Sequence, residues 1–68
     1  MVRNYEIWLG PNRVAVWKAA SAQLALIEYL RGQAVPDEEI VRLGETQVSW
    51  RGALYRARIG RPTLLPQP

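Results

Sequence analysis

The chain has no cysteine, no histidine and no phenylalanine, and Lys18 is its single lysine. Without cysteine there is neither a disulfide framework nor thiol chemistry, and the composition fits a reducing compartment. Without histidine as well, the Ser/His and Cys/His nucleophile systems are excluded and a zinc site lacks its usual ligands. Long apolar runs are also missing. No stretch nears the roughly 18 residues of a membrane span, and Met1 to Gly10 lacks the apolar centre of a signal peptide. The expectation is a cytoplasmic chain with no membrane contact, no metal and no cofactor.

What is present is small. A chain of 68 residues fits one domain, and domains of this size bury only about 60% of the surface that the unfolded chain exposes. Disulfides and metals are closed as remedies, which leaves self-association, a dimer first. The formal charge of +3 is unevenly spread. Arg42, Arg51, Arg56, Arg58 and Arg61 face only Glu45 in the last part of the chain. Such asymmetry suits contact with a polyanion, although a modest excess also serves solubility alone.

Alternation and punctuation divide the chain. Asn4 to Leu9 puts Tyr5, Ile7 and Leu9 on one side and Asn4, Glu6 and Trp8 on the other, the period of a half-buried strand. Gly10-Pro11-Asn12 turns it, and Arg13 to Lys18 alternates again through Val14 and Val16, giving a β-hairpin. Ser21 suits a helix N-cap and Gly32 a left-handed C-terminal stop, which predicts a helix from Ala22 to Arg31. Its stripe of Ala22, Ala25, Leu26, Tyr29 and Leu30 is set to pack on a sheet. Leu24 and Ile27 fall outside the centre of that stripe and are expected to meet a neighbouring loop first, or else a second subunit, for which they are the candidate oligomer contacts.

Gln33 to Glu39 reads as a loop in which Val35-Pro36-Asp37 opens a short helical turn. Ile40 to Leu43 suits either a continuation of that turn or a strand. Gln47 to Trp50 and Ala53 to Ile59 are strand-like, with Arg51-Gly52 as a two-residue hairpin loop. That register places Val48, Trp50, Ala53, Tyr55, Ala57 and Ile59 on one face. A three-residue loop would scatter them, so the shorter loop is preferred. The fold class is α+β, in ββαββ order with room for an extra strand: an antiparallel sheet of two hairpins with one main helix on one face. Residues 1–60 form the domain, and 61–68, with three prolines, a C-terminal tail.

Patterns that carry chemistry are scarce in the sequence. Ser21 and Ser49 are explained as a cap and a strand residue, and Asp37, Glu38 and Glu39 lack the ligand alternation and central glycine of a calcium loop. The five glycines are dispersed as turns and caps, so no phosphate loop forms. Arg51-Gly52-Ala53-Leu54-Tyr55 opens like an RNA-recognition-motif consensus, but Ala53 stands where the first aromatic belongs and a second helix is missing, so no family is assigned. The chain reads as a non-enzyme.

One constellation remains. If Tyr5, Ile7, Leu9, Val14 and Val16 face the helix, the uncovered side of the sheet carries Trp8, Trp17 and Arg13 from the first hairpin and Leu54, Arg56 and Arg58 from the second. Tryptophan and arginine are enriched at the energetic centres of protein interfaces. They also stack bases and hold phosphates in single-strand binders. In a third reading, the tail from Pro62 to Leu65 covers the tryptophans. The expectation is a small interaction module, homo-oligomeric or engaging another protein, with nucleic-acid binding as the alternative.

Overall fold

Gly10, with φ +60, lets the chain reverse between β1 (Arg3–Leu9) and β2 (Asn12–Ala19). In the computed structural model, which describes residues 2–60, these strands are followed by α1 (Ala22–Gly32), a 3-10 turn at Asp37–Glu39, β3 (Val41–Gly44), β4 (Gln47–Trp50) and β5 (Ala53–Ile59). The tail at 61–68, and any cover it gives the tryptophans, lies outside the described residues. All strand pairings are antiparallel, in the spatial order β2-β1-β5-β4-β3. The first and last of the described strands, β1 and β5, therefore meet near the middle of the sheet, and α1 links β2 at one edge to β3 at the other. The ambiguous segment after Ile40 is the extra strand, and the order is ββαβββ.

The helix starts as its sequence requires. The Ser21 hydroxyl accepts a hydrogen bond from the Leu24 amide at 3.2 Å, satisfying one of the free donors of the first turn. Its end differs from expectation. Gly32 remains helical, and Ala34 is the residue with positive φ, at 65°. The amides of Ala34 and Val35 donate to the carbonyls of Arg31 and Leu30, the paired bonds of a Schellman cap. Burial of Val35, at 3% exposed, accompanies the cap and holds an alanine in a conformation that glycine would adopt more cheaply.

The second hairpin takes the two-residue loop. Trp50 pairs with Ala53 and Val48 with Tyr55, while Arg51 and Gly52 both have positive φ, as a type I′ turn demands. Val48, Tyr55 and Ala57 therefore face α1 together with Tyr5 and Ile7, and Ala25, Leu26 and Leu30 descend on them from the helix. Ile7, Leu26, Leu30 and Val48 are fully buried.

The first hairpin breaks its own alternation. Trp8 pairs with Arg13 but Ile7 pairs with Ala15, so Val14 is an extra residue, a β-bulge. Beyond a bulge every side chain changes face. Ala15, Trp17 and Ala19 turn toward the helix, and Val16 and Lys18 turn away. The expectation that Val14 and Val16 face the helix is overturned, for they are 38% and 55% exposed. Trp17 is likewise corrected: it is half-buried against α1, not on the open face.

Ile27 is corrected too. At 4% exposed it is covered within the monomer, so the buried sector of α1 is wider than the five-residue stripe, whereas Leu24 stays 44% exposed. No helix among the described residues is long and apolar enough to cross a membrane.

Candidate interaction face of the sheet

On the side of the sheet away from α1, β1 presents Asn4, Glu6 and Trp8, because these alternate with the inward Tyr5, Ile7 and Leu9. Pairing carries the same face outward. Trp8 lies beside Arg13 on β2 and Arg56 on β5, and Glu6 lies beside Val16 and Arg58. Arg56 is next to Gln47 on β4, and Leu54 is next to Ser49 toward the β4–β5 turn. The strand periodicity thus gathers Trp8, Arg13, Arg56 and Arg58 at the centre, with Leu54 at one end. Trp17 is on the opposite side, where its indole N–H donates to Glu28 Oε1 at 3.0 Å and its ring meets Tyr29 edge-on at 6.1 Å.

Glu6, which sequence reasoning had not singled out, organises the cluster. Its carboxylate accepts from the Trp8 indole and from Arg13 at 3.3 Å each, and from Arg58 at 3.4 Å. The Arg58 guanidinium also lies over the Trp8 ring, 4.7 Å from its centroid, in a cation–π contact. Partial burial works against ionisation of Glu6, but the hydrogen bonds from Trp8, Arg58 and Arg13 outweigh it and hold its carboxyl below the ordinary glutamate value. The available signal was positional. Residues two apart on a strand share a face, so Glu6 belonged beside Trp8 from the start.

The electrostatics of this face are lopsided. Arg13, Lys18, Arg56 and Arg58 against Glu6 leave a formal +3 on this face, whereas the other described residues, Arg3, Arg31, Arg42 and Arg51 against Glu28, Asp37, Glu38, Glu39 and Glu45, sum to −1. The other charge clusters are internally balanced. Arg31 pairs with Asp37, and Arg51 and the Trp50 indole both reach Glu39. Beside Trp8 the surface opens into a cleft of about 560 Å³ lined by Trp8, Pro11, Thr46, Gln47, Arg56 and Arg58 among others.

Comparisons with protein-family models, curated proteins and solved structures find no match. The face is therefore read from its own chemistry. It offers guanidinium groups, one indole ring and amide and hydroxyl groups, suited to recognition. Among the described residues no three His, Cys, Asp or Glu side chains gather as a metal site.

Proposed function

We propose that the protein is a non-enzymatic interaction module that engages an anionic partner through the open face of its sheet. The observation that carries this reading is the formal +3 gathered on the face bearing Trp8, while the other described residues sum to −1. A sheet face with a net positive charge attracts the opposite sign and repels its own copy, so stacking two such faces in a dimer is disfavoured. The test compares two double variants that lose the same net charge. Arg13→Ala/Arg56→Ala is expected to weaken binding to heparin, polyglutamate or oligonucleotide at low salt by about a hundredfold, since each of the two lost charge-assisted contacts is worth about 1.5 kcal/mol. Arg3→Ala/Arg42→Ala removes charges whose strand partners, Ala19 and Val48, face the helix. It should weaken binding far less. Equal losses in the two variants, or no binding by the wild-type protein, would overturn the reading.

Self-association is supported by a separate observation, at the β3 edge. Among the described residues this strand has β4 as its one sheet neighbour, and Val41 and Leu43 are each 53% exposed, an apolar edge of the kind that templates a further strand. Exposed Leu24 follows Gln23, whose side-chain amide donates to the Gly44 carbonyl at 3.0 Å and brings the start of α1 to this edge. Antiparallel pairing of β3 with its copy would join two sheets with both open faces on one side. Sedimentation of the wild-type protein should then show a concentration-dependent dimer that Leu43→Lys abolishes. A strict monomer at every concentration would remove this second reading.

A further inference from the structure

The open face carries more specific information than its charge, namely one ring, planar cations around it and a cleft beside it. Building on the proposed anion-binding role, we infer that the partner is a single-stranded nucleic acid, with a base held in the cleft beside Trp8 and adjacent phosphates on Arg13, Arg56 and Arg58. Three features favour this over an acidic protein or a duplex.

The first is spacing. Neighbouring strands lie about 4.8 Å apart, so Arg13, Trp8, Arg56 and Gln47, on four adjacent strands, form a row about 14 Å long. Arg58 stands two residues along β5 from Arg56, about 7 Å away. Cations therefore flank the ring on both neighbouring strands, the arrangement needed to follow a chain that alternates bases with phosphates. Acidic side chains of a peptide would use the cations and leave the ring idle.

The second is the cleft. Its indole and guanidinium surfaces present flat π-faces, while the Thr46 hydroxyl and the Gln47 amide supply donors and acceptors for the edge of a base. A base in a duplex is stacked and paired and has no access to such a site. Among the described residues no helix projects from this face to enter a major groove, because α1 packs on the other side of the sheet.

The third is Glu6. Its carboxylate occupies the position among Arg13, Arg58 and the Trp8 indole that a phosphate would take. It keeps the arginines extended over the face and acts as an internal competitor. An incoming phosphate displaces it, and Arg58 then either remains stacked on Trp8 as a platform or swings to the phosphate and bares the indole.

The experiment titrates the full chain into a fluorescein-labelled oligodeoxythymidine, with unlabelled duplex, heparin and polyglutamate as competitors, across a salt series. Tight binding is expected, with log affinity falling against log salt at a slope of about −2 for three single-strand phosphate contacts. Trp8→Ala should weaken it about 5- to 100-fold, and Trp8→Phe should restore most of the loss by returning an aromatic face. Glu6→Gln, which keeps the side-chain shape, should tighten binding several-fold. If heparin and polyglutamate bind as well as the oligonucleotide and Trp8→Ala changes nothing, the anionic-face reading stands and the nucleic-acid inference falls. If no polyanion binds, both fall. Weaker binding by Glu6→Gln would refute the competitor role.

Discussion

Leu26→Ala is expected to leave the protein largely unfolded at 25 °C. Leu26 is fully buried at the centre of α1, packed into the cluster that contains Ile7, Leu30, Val48 and Tyr55. Truncating such a leucine removes its transfer free energy and leaves a cavity, together costing about 2–5 kcal/mol. A domain of this size has a total stability of about 3–9 kcal/mol. The loss is therefore comparable with the whole. Leu24→Ala, on the same helix but 44% exposed, should change stability by about 0.5 kcal/mol or less. Urea denaturation followed by far-ultraviolet circular dichroism checks both. A Leu26→Ala variant with a wild-type urea midpoint would mean that α1 does not depend on its seat on the sheet.

The parts of this fold that could be read from sequence are those in which one local signal had no competitor. Arg51-Gly52 fixed the second hairpin because a single register kept Val48, Tyr55 and Ala57 on one face. Ser21 fixed the start of α1 because a hydroxyl there meets a free amide. β3 is ambiguous in sequence because four residues are too few to display a period. The helix end was misplaced because glycine is the usual left-handed residue, while here the position of buried Val35 selected Ala34 instead.

The first hairpin shows why the candidate site was half legible. Val14, Ala15, Val16 and Trp17 are all apolar, so alternation fits either face and one bulged residue decides between them. The discarded frame contained a warning. Continuing the Val14 and Val16 row by two residues brings Lys18 inward, whereas the Ala15 and Trp17 row continues to Ala19, which is 6% exposed. A buried, unpaired lysine costs more than a bulge, and that comparison alone selects the observed register. Trp8, Arg13, Arg56 and Arg58 were placed together because none of them lies beyond the bulge. Glu6 carries no binding signal of its own in the sequence, because its part in the structure is to hold Arg13, Arg58 and Trp8 in place.

The same bulge sets the last expected result. Trp17→Ala should destabilise the protein by about 2–3 kcal/mol and Trp8→Ala by about 1 kcal/mol or less, although the two residues were indistinguishable in sequence. Trp17 packs partly buried against α1, meets Tyr29 edge-on and donates to Glu28, so its removal opens a gap between helix and sheet. Its half-burial keeps the loss below the roughly 3–5 kcal/mol of a fully buried tryptophan. Trp8 is partly buried too, but it forfeits on the open face only a cation–π contact with Arg58 and a long hydrogen bond to Glu6, each of small net worth, and leaves no gap between helix and sheet. Urea midpoints of the two variants measure the difference. If the order were reversed, Val14 would not be bulged, Trp17 would stand on the open face beside Arg13, and that face would hold two rings instead of one. The ranking of these two substitutions therefore tests the register of β2, and with it the number of stacking surfaces available to a partner.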